Sequence, residues 1–158
     1  MANKTGVYPV FDIEFQVSTT GVQEDHATLV EEDMKLIADM ETFELSIDGN
    51  VEEWAPMDTK GWVRRLMTGK GFAIGLSGKR HQGDAGNDYI AGLAYKTGAD
   101  CTTTTRVKFP NGDHLIFDCV VDVGSNFGGD STAVSSLEVE LLSDGKPTYV
   151  DEATTPGE

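Results

Sequence analysis

The chain has 158 residues, enough for one domain with a real core, and its 39% apolar share comes with 18 glycines and abundant Thr and Val. Its 27 Asp and Glu against 12 Lys and Arg give a formal net charge of -15, which excludes nucleic-acid binding by phosphate neutralisation and attraction to anionic membranes. No apolar run has the form of a signal peptide or the length of a membrane span, so membrane insertion is not expected.

The composition suits strands and turns better than a helix bundle. Phe11 to Val17 alternates strictly, with Phe11, Ile13, Phe15 and Val17 on one face and Asp12, Glu14 and Gln16 on the other, which predicts a strand. From residue 18 to residue 41 the alternation dissolves into a long acidic loop carrying Leu29, Val30, Met34, Leu36, Ile37 and Met40. Leu36, Ile37 and Met40 fall at helical spacing, so a short helix over Glu31 to Met40 is expected. A connection this long in a small domain tends to carry function or to order on a partner.

Thr42 to Asp48 alternates again, with Phe43, Leu45 and Ile47 inward and Glu44 outward, and Gly49-Asn50 is expected to end it. Glu52 to Pro56 reads as a turn or irregular edge. Trp62–Met67 and Phe72–Leu76 read as a hairpin across Thr68 to Gly71, with Gly75 and Gly78 marking a bulge or a close backbone approach. A helix is predicted over residues 84–97, with Asp84 as N-cap, Ile90, Leu93 and Ala94 as its apolar stripe and Gly98 as terminator. Gly86 and Gly92 weaken it by about 1 kcal/mol each, so packing must hold it.

Thr102 to Phe109 and Asp113 to Val123 form a hairpin. A three-residue loop with Gly112 in the left-handed region sets Val107 opposite Leu115 and Thr105 opposite Phe117. In that register Cys119 faces Thr103 and not Cys101, which predicts two reduced thiols. Residues 124–131 read as a flexible loop and Val134 to Leu142 as the last strand, with Glu138 and Glu140 on its polar face. Residues 1–150 are thus expected to form a single domain, with a flexible tail at 151–158.

Little here carries chemistry. His26, His81 and His114 have no metal-ligand spacing. Asp122, Asn126 and Asp130 do not follow a calcium-loop pattern and read as a solvated polar loop. Gly83 to Gly86 lacks the lysine of a phosphate loop and puts Asp84 where a phosphate would sit. No nucleophile and base come together in the sequence, so neither an enzyme nor a cofactor is expected. What rises above background is collective, because four strands each place acids on their polar face. Two accounts stand side by side: the solvent face of a half-exposed sheet, or a wall along which DNA moves without phosphate-binding wells.

The run Gly83-Asp-Ala-Gly-Asn-Asp-Tyr-Ile-Ala-Gly-Leu-Ala-Tyr-Lys-Thr-Gly98, followed by a strand, Pro110-Asn-Gly112 and a returning strand, resembles the tail tube (major tail) proteins of long-tailed bacteriophages. The likeness is best from about Gly61 to Val150, and its most telling part is the Gly-Asp-x-Gly turn into the helix. It implies a mostly β subunit, a β-sandwich or half-barrel of two antiparallel sheets flanked by one helix. It implies six subunits in a ring whose inner sheets join into a β-barrel lumen. It also implies rings stacked around a tape-measure protein between a tail initiator or baseplate and a terminator. Such a virion protein would assemble in the bacterial host cytoplasm, and DNA would pass through its lumen without tight binding. Asp12, Glu14, Glu44, Glu138 and Glu140 are then expected to face the lumen. Leu29, Val30, Met34, Leu36, Ile37 and Met40 are expected in a ring-stacking loop, a job the stretch from Gly49 to Lys60 could share. The rival expectation is a carbohydrate-binding or adhesin-like β-sandwich, for which Trp54 and Trp62 would be the aromatic platform.

Overall fold

The computed structural model describes residues 6–151. Among them a 3-10 turn at Val10–Asp12 leads into eight strands and one α-helix. The strands are β1 (Glu14–Ser18), β2 (Met34–Leu36), β3 (Met40–Trp54), β4 (Arg64–Lys79), β5 (Thr102–Lys108), β6 (His114–Ser125), β7 (Ser136–Ser143) and β8 (Thr148–Val150), and the helix is α1 (Ala85–Gly92). All pairings are antiparallel, in the order β2-β1-β5-β6-β7-β4-β3, with β8 on β6.

The mostly β architecture with one helix is as expected, but the two sheets are joined into one. The reason is the length of β6. Its first part, His114 to Val120, pairs with β5, and its later part, Cys119 to Ser125, pairs with β7. One strand therefore belongs to both halves, and hydrogen bonding runs through it without a break. The sheet then coils until its ends meet. Phe15 on β1 and Phe43 on β3, near opposite ends of the strand order, pack edge to face with ring centroids 4.8 Å apart. Only residues 37–39 separate β2 from β3. The result is a half-barrel filled by Val17, Leu76, Ile90, Phe117, Leu137 and Leu141, all under 3% exposed, with α1 packed on β1, β2 and β6.

The β5–β6 hairpin has the expected register, Val107 opposite Leu115 and Thr105 opposite Phe117. Its loop closes through Gly112 N–H to the Phe109 carbonyl at 3.0 Å, with Gly112 at φ +96°. Cys119 pairs with Thr103, and both cysteines are buried free thiols.

Several expectations need correction. The helix stops at Gly92, not near residue 97: Leu93 and Ala94 donate to carbonyls three residues back, so the end tightens, and Gly98 opens a separate 3-10 turn. Glu31 to Met40 is not helical. Met34–Leu36 pairs with β1, where ladder bonds outweigh a three-residue helical spacing. Phe11 does not continue the strand and is 84% exposed. The Val134 strand starts at Ser136, and the short β8 beyond Pro147 was not anticipated. The tail at 151–158 lies, beyond Asp151, outside the described residues.

The largest correction concerns residues 40–79. Gly49-Asn50 does not end a strand and Thr68 to Gly71 is not a turn. Both lie inside one long hairpin in which Gly49 pairs with Lys70 and Asn50 with Gly69. A register shift falls between Asn50 and Val51, and Asn50 and Thr68 hydrogen-bond across it. The reversal comes later, at a 3-10 turn Met57–Thr59 with Lys60 at φ +56° and Gly61 at φ +89°.

Candidate assembly surfaces

The turn into α1 works as a clasp on the corner where the half-barrel closes. Asp84 caps the helix by accepting from the Asn87 amide at 3.0 Å, and the same oxygen accepts from the Ala38 amide at 3.2 Å. Asn87, fully buried, donates to the carbonyls of Ala38 and Lys79, each at 3.0 Å. Its own carbonyl oxygen accepts from the His81 amide and from Arg80. One side chain thus ties residue 38, between β2 and β3, to the end of β4. Two glycines make the approach physically open, since a Cβ at Gly86 would lie 2.2 Å from the Leu36 carbonyl oxygen and one at Gly78 2.2 Å from that of Asp39. His81 pairs with Asp39, which raises its pKa, with further raising from Asp84 and Asp88. Arg80 meets Asp88 at 2.7 Å and holds that carboxyl below its usual range.

Three of the five expected lumen acids come together. Glu44 pairs with Gly75, Gly75 with Glu140, and Glu140 with Asp122, one row across β3, β4, β7 and β6. Glu138 stands in the next row, opposite Ser77. All four carboxylates are on exposed residues of the face turned away from the core. Gly75 and Gly124 leave a shallow groove among Asp122, Glu138 and Glu140. Glu14 is elsewhere on the same continuous surface, opposite Lys108 on the β1–β5 half, and Asp12 lies in the 3-10 turn before β1.

On the β1–β5–β6 half the outer face is covered. Residues 19–33 lie across it as a strap pinned by polar contacts. The Gln23 amide donates to Thr104 Oγ1 at 2.8 Å, and His26 bridges Asp118 at 3.1 Å and Thr148 at 2.9 Å. Glu31 forks onto the Arg106 guanidinium at 2.7 and 2.6 Å, and Arg106 is also held by Gln16. Hydrogen bonding to Arg106, ahead of the pull of Lys108 and His114, keeps the Glu31 carboxyl below the ordinary glutamate range. The strap is ordered by its own subunit. Of the six residues expected in a stacking loop, Met34 and Ile37 are buried, and Met40 packs against the core. Leu29 is half-buried, while Val30 and Leu36 are about half exposed at 52% and 47%.

The most exposed apolar surface is one that alternation did not single out. β4 leaves β7 at Ala73, so β3 and β4 run on alone as a two-stranded arm some 25 Å long at roughly 3.3 Å per residue. Ile47, Val51, Met57, Trp62, Val63, Leu66 and Met67 are all more than 40% exposed on it. Arg64 lies over the Trp54 ring, 5.9 Å from its centroid, and Arg65 pairs with Glu53 at 2.7 Å. An isolated two-stranded ribbon is marginal in water, and exposed apolar surface of this extent marks a contact surface. The signal available in the sequence was the acid-free run from Thr59 to Gly83, with Trp62, Leu66 and Met67 inside it.

Among the described residues no three His, Cys, Asp or Glu side chains gather as a metal site, and no helix is long and apolar enough to cross a membrane. No protein-family model and no curated protein matches the sequence. Solved structures do match. A chain from the tail of an empty gene transfer agent particle, refined as a helix with C6 symmetry, superposes with a TM-score of 0.66 at 14% identity, over 92% of this chain and 100% of that one. A chain from the virion of a native gene transfer agent particle gives a TM-score of 0.63 at 14% identity, with the same coverage. The fold of this chain is therefore like that of chains in phage-like tail particles, as the resemblance of the Gly83 to Asp122 region implied.

Proposed function

We propose that the chain is a structural tail-tube subunit, six copies closing a ring and rings stacking into a tube that conducts DNA. The observation that carries this is the likeness, over the whole of the matched chain, to a chain of a tail with C6 symmetry. Two features of the subunit support it. The unpartnered arm and the free edge of β3 are hazards for a monomer and assets for a ring. The row Glu44, Glu140 and Asp122 with Glu138 beside it suits a lumen wall, because it offers a polyanion no site to bind. Asp12 and Glu14 extend that wall only if the lumen also takes in the β1 side. The stacking surface of the strap narrows to Leu29, Val30 and Leu36.

In this reading the protein is not an enzyme. It belongs to the virion tail, assembles in the bacterial cytoplasm, and meets a tape-measure protein inside the tube and initiator and terminator proteins at its ends. Negative-stain microscopy of concentrated protein tests it: hollow tubes or six-fold rings are expected. A protein that remains monomeric, even with a tail initiator complex added, would favour a binding module instead. That second reading has one observation behind it. Trp54 and Trp62, separate in sequence, both lie at the far end of the arm, 43% and 80% exposed.

A further inference from the structure

Charge is segregated along this chain in a way that the fold turns into two separate surfaces. From Thr59 to Gly83 there is no Asp or Glu, while Lys60, Arg64, Arg65, Lys70, Lys79 and Arg80 fall within that run. The first four of these basic residues lie on the outgoing turn and β4 limb of the arm, beside the exposed Trp62, Val63 and Leu66. From Thr19 to Met34 the reverse holds: the strap carries Glu24, Asp25, Glu31, Glu32 and Asp33 and no Lys or Arg.

Within one subunit these surfaces do not meet. The arm leaves the sheet at its β3–β4 end, and the strap covers the β1–β5–β6 half. The strap is also an acceptor formed in advance, since Gln23, His26 and Glu31 anchor it to Thr104, Asp118, Thr148 and Arg106. Glu24, Glu32, Val22 and Val30 remain exposed on it. An acidic surface with scattered apolar residues, already ordered, loses little conformational entropy on docking.

We propose that the basic, aromatic limb of the arm, Lys60 to Lys70, docks on the acidic strap of a second copy of this chain. The contact is heterologous, arm to strap, so it propagates from copy to copy and either closes a ring or links one ring to the next. Its electrostatic part governs register and encounter rate more than affinity, and the apolar residues at the arm's end supply the buried area. This deepens the tube reading and rests on it for the final particle, though the pairwise contact can be tested by itself.

The test uses full-length protein, half of it nitrogen-15 labelled, treated with a zero-length carbodiimide that joins Lys to Asp or Glu. Amide links between Lys60 or Lys70 of one copy and Glu24, Asp25, Glu32 or Asp33 of a differently labelled copy are expected. The paired variant Lys60→Glu/Arg64→Glu should keep the monomer fold by circular dichroism and raise the concentration needed for assembly roughly tenfold or more. Adding Glu24→Lys/Glu32→Lys should bring it back down. Tubes whose inter-copy links run from the arm to Glu138 or Glu140, or whose assembly ignores the charge reversal, would overturn this contact and leave the tube reading standing. Arm-to-strap links in open chains without rings or tubes would do the opposite. Absence of any inter-copy link would overturn the contact outright.

Discussion

Gly86 and Leu36 are in such close contact that a single methyl group cannot be inserted between them: a Cβ on Gly86 would sit 2.2 Å from the Leu36 carbonyl oxygen. In an ordinary exposed helix, replacing glycine by alanine gains about 1 kcal/mol. Here the obstacle is backbone of β2, which cannot rotate away. Gly86→Ala is expected to destabilise the fold by roughly 1–3 kcal/mol, the range for overpacked interiors. Urea denaturation checks it, with Gly92→Ala as the control, since a Cβ there meets nothing within 4 Å.

Asn87 closes the same corner by hydrogen bonding. Its amide group faces two carbonyls, Ala38 and Lys79, and its oxygen faces two donors. Asn87→Asp keeps the shape and turns one donor group into an acceptor against two carbonyl oxygens. Asn87→Ala leaves all four partners without it in a fully buried site. Each is expected to cost about 2–4 kcal/mol, with Asp no better than Ala despite its similar size. Equality of Asn87→Asp with the parent protein would refute the assigned bonding.

These residues show what was legible in the sequence. Asp84 as cap and Gly112 as the left-handed turn residue were readable because each answers a local backbone demand. The β5–β6 register followed from one loop length. What could not be read depends on partners far along the chain. Gly86 looks like a helix weakness until Leu36 is seen beside it. Gly49, Gly69 and Gly71 look like breaks, yet cross-strand pairing carries the strands through them. The arm has no core to impose alternation, so its faces mix charge and apolar groups and escape a period-two reading. The acids divided for the same reason: Glu44, Glu138 and Glu140 share a surface because strands distant in sequence are neighbours in the sheet, and Glu14 falls on the other half. Deleting Leu29 to Met40, which the sequence alone suggests would spare the fold, removes the buried Met34 and Ile37 and should unfold the subunit.

His81 and Asp39 give the clasp a pH dependence. The folded imidazole titrates above its ordinary 6.5, chiefly through the hydrogen bond to Asp39, with Asp84 and Asp88 adding to it. Their contribution is therefore complete below pH 6.5 and is lost as pH rises through the folded-state value. Both side chains are about half exposed, at 50% and 52%, so the effect on stability is small. An NMR titration should place the His81 midpoint higher in the parent protein than in Asp39→Asn. Equal midpoints would remove the pair.

Glu31 and Arg106 give the strap the opposite dependence. The folded carboxyl titrates below its ordinary 4.5 because Arg106 hydrogen-bonds the charged form. The strap's anchoring is thus complete above pH 4.5 and weakens as pH falls through the folded-state value. With 69% of the Glu31 side chain exposed, the contribution is discounted to less than about 1 kcal/mol. Glu31→Gln should speed hydrogen exchange at the Gln23 amide, which is bonded to Thr104, and flatten its acid dependence. Unchanged exchange there would mean that Gln23 and His26 hold the strap without Glu31.

The row of acids should be a cost to the monomer that only assembly explains. Glu140 pairs across the strands with Asp122, and Glu44 lies two strands away with the side-chain-free Gly75 between them. Adjacent strands are about 4.8 Å apart, so like charges opposite one another repel. Glu140→Lys replaces that repulsion with attraction to Asp122 and is expected to stabilise the isolated subunit by roughly 0.2–1 kcal/mol. The same change puts a cation on the proposed lumen wall. Tubes carrying Glu140→Lys with Glu138→Lys should retain DNA in co-sedimentation at low salt and release it as salt rises, while parent tubes retain none. Variant tubes that leave DNA in the supernatant at every salt concentration would move this face out of the lumen. A variant that loses both stability and tube formation would instead make the acids part of a subunit contact.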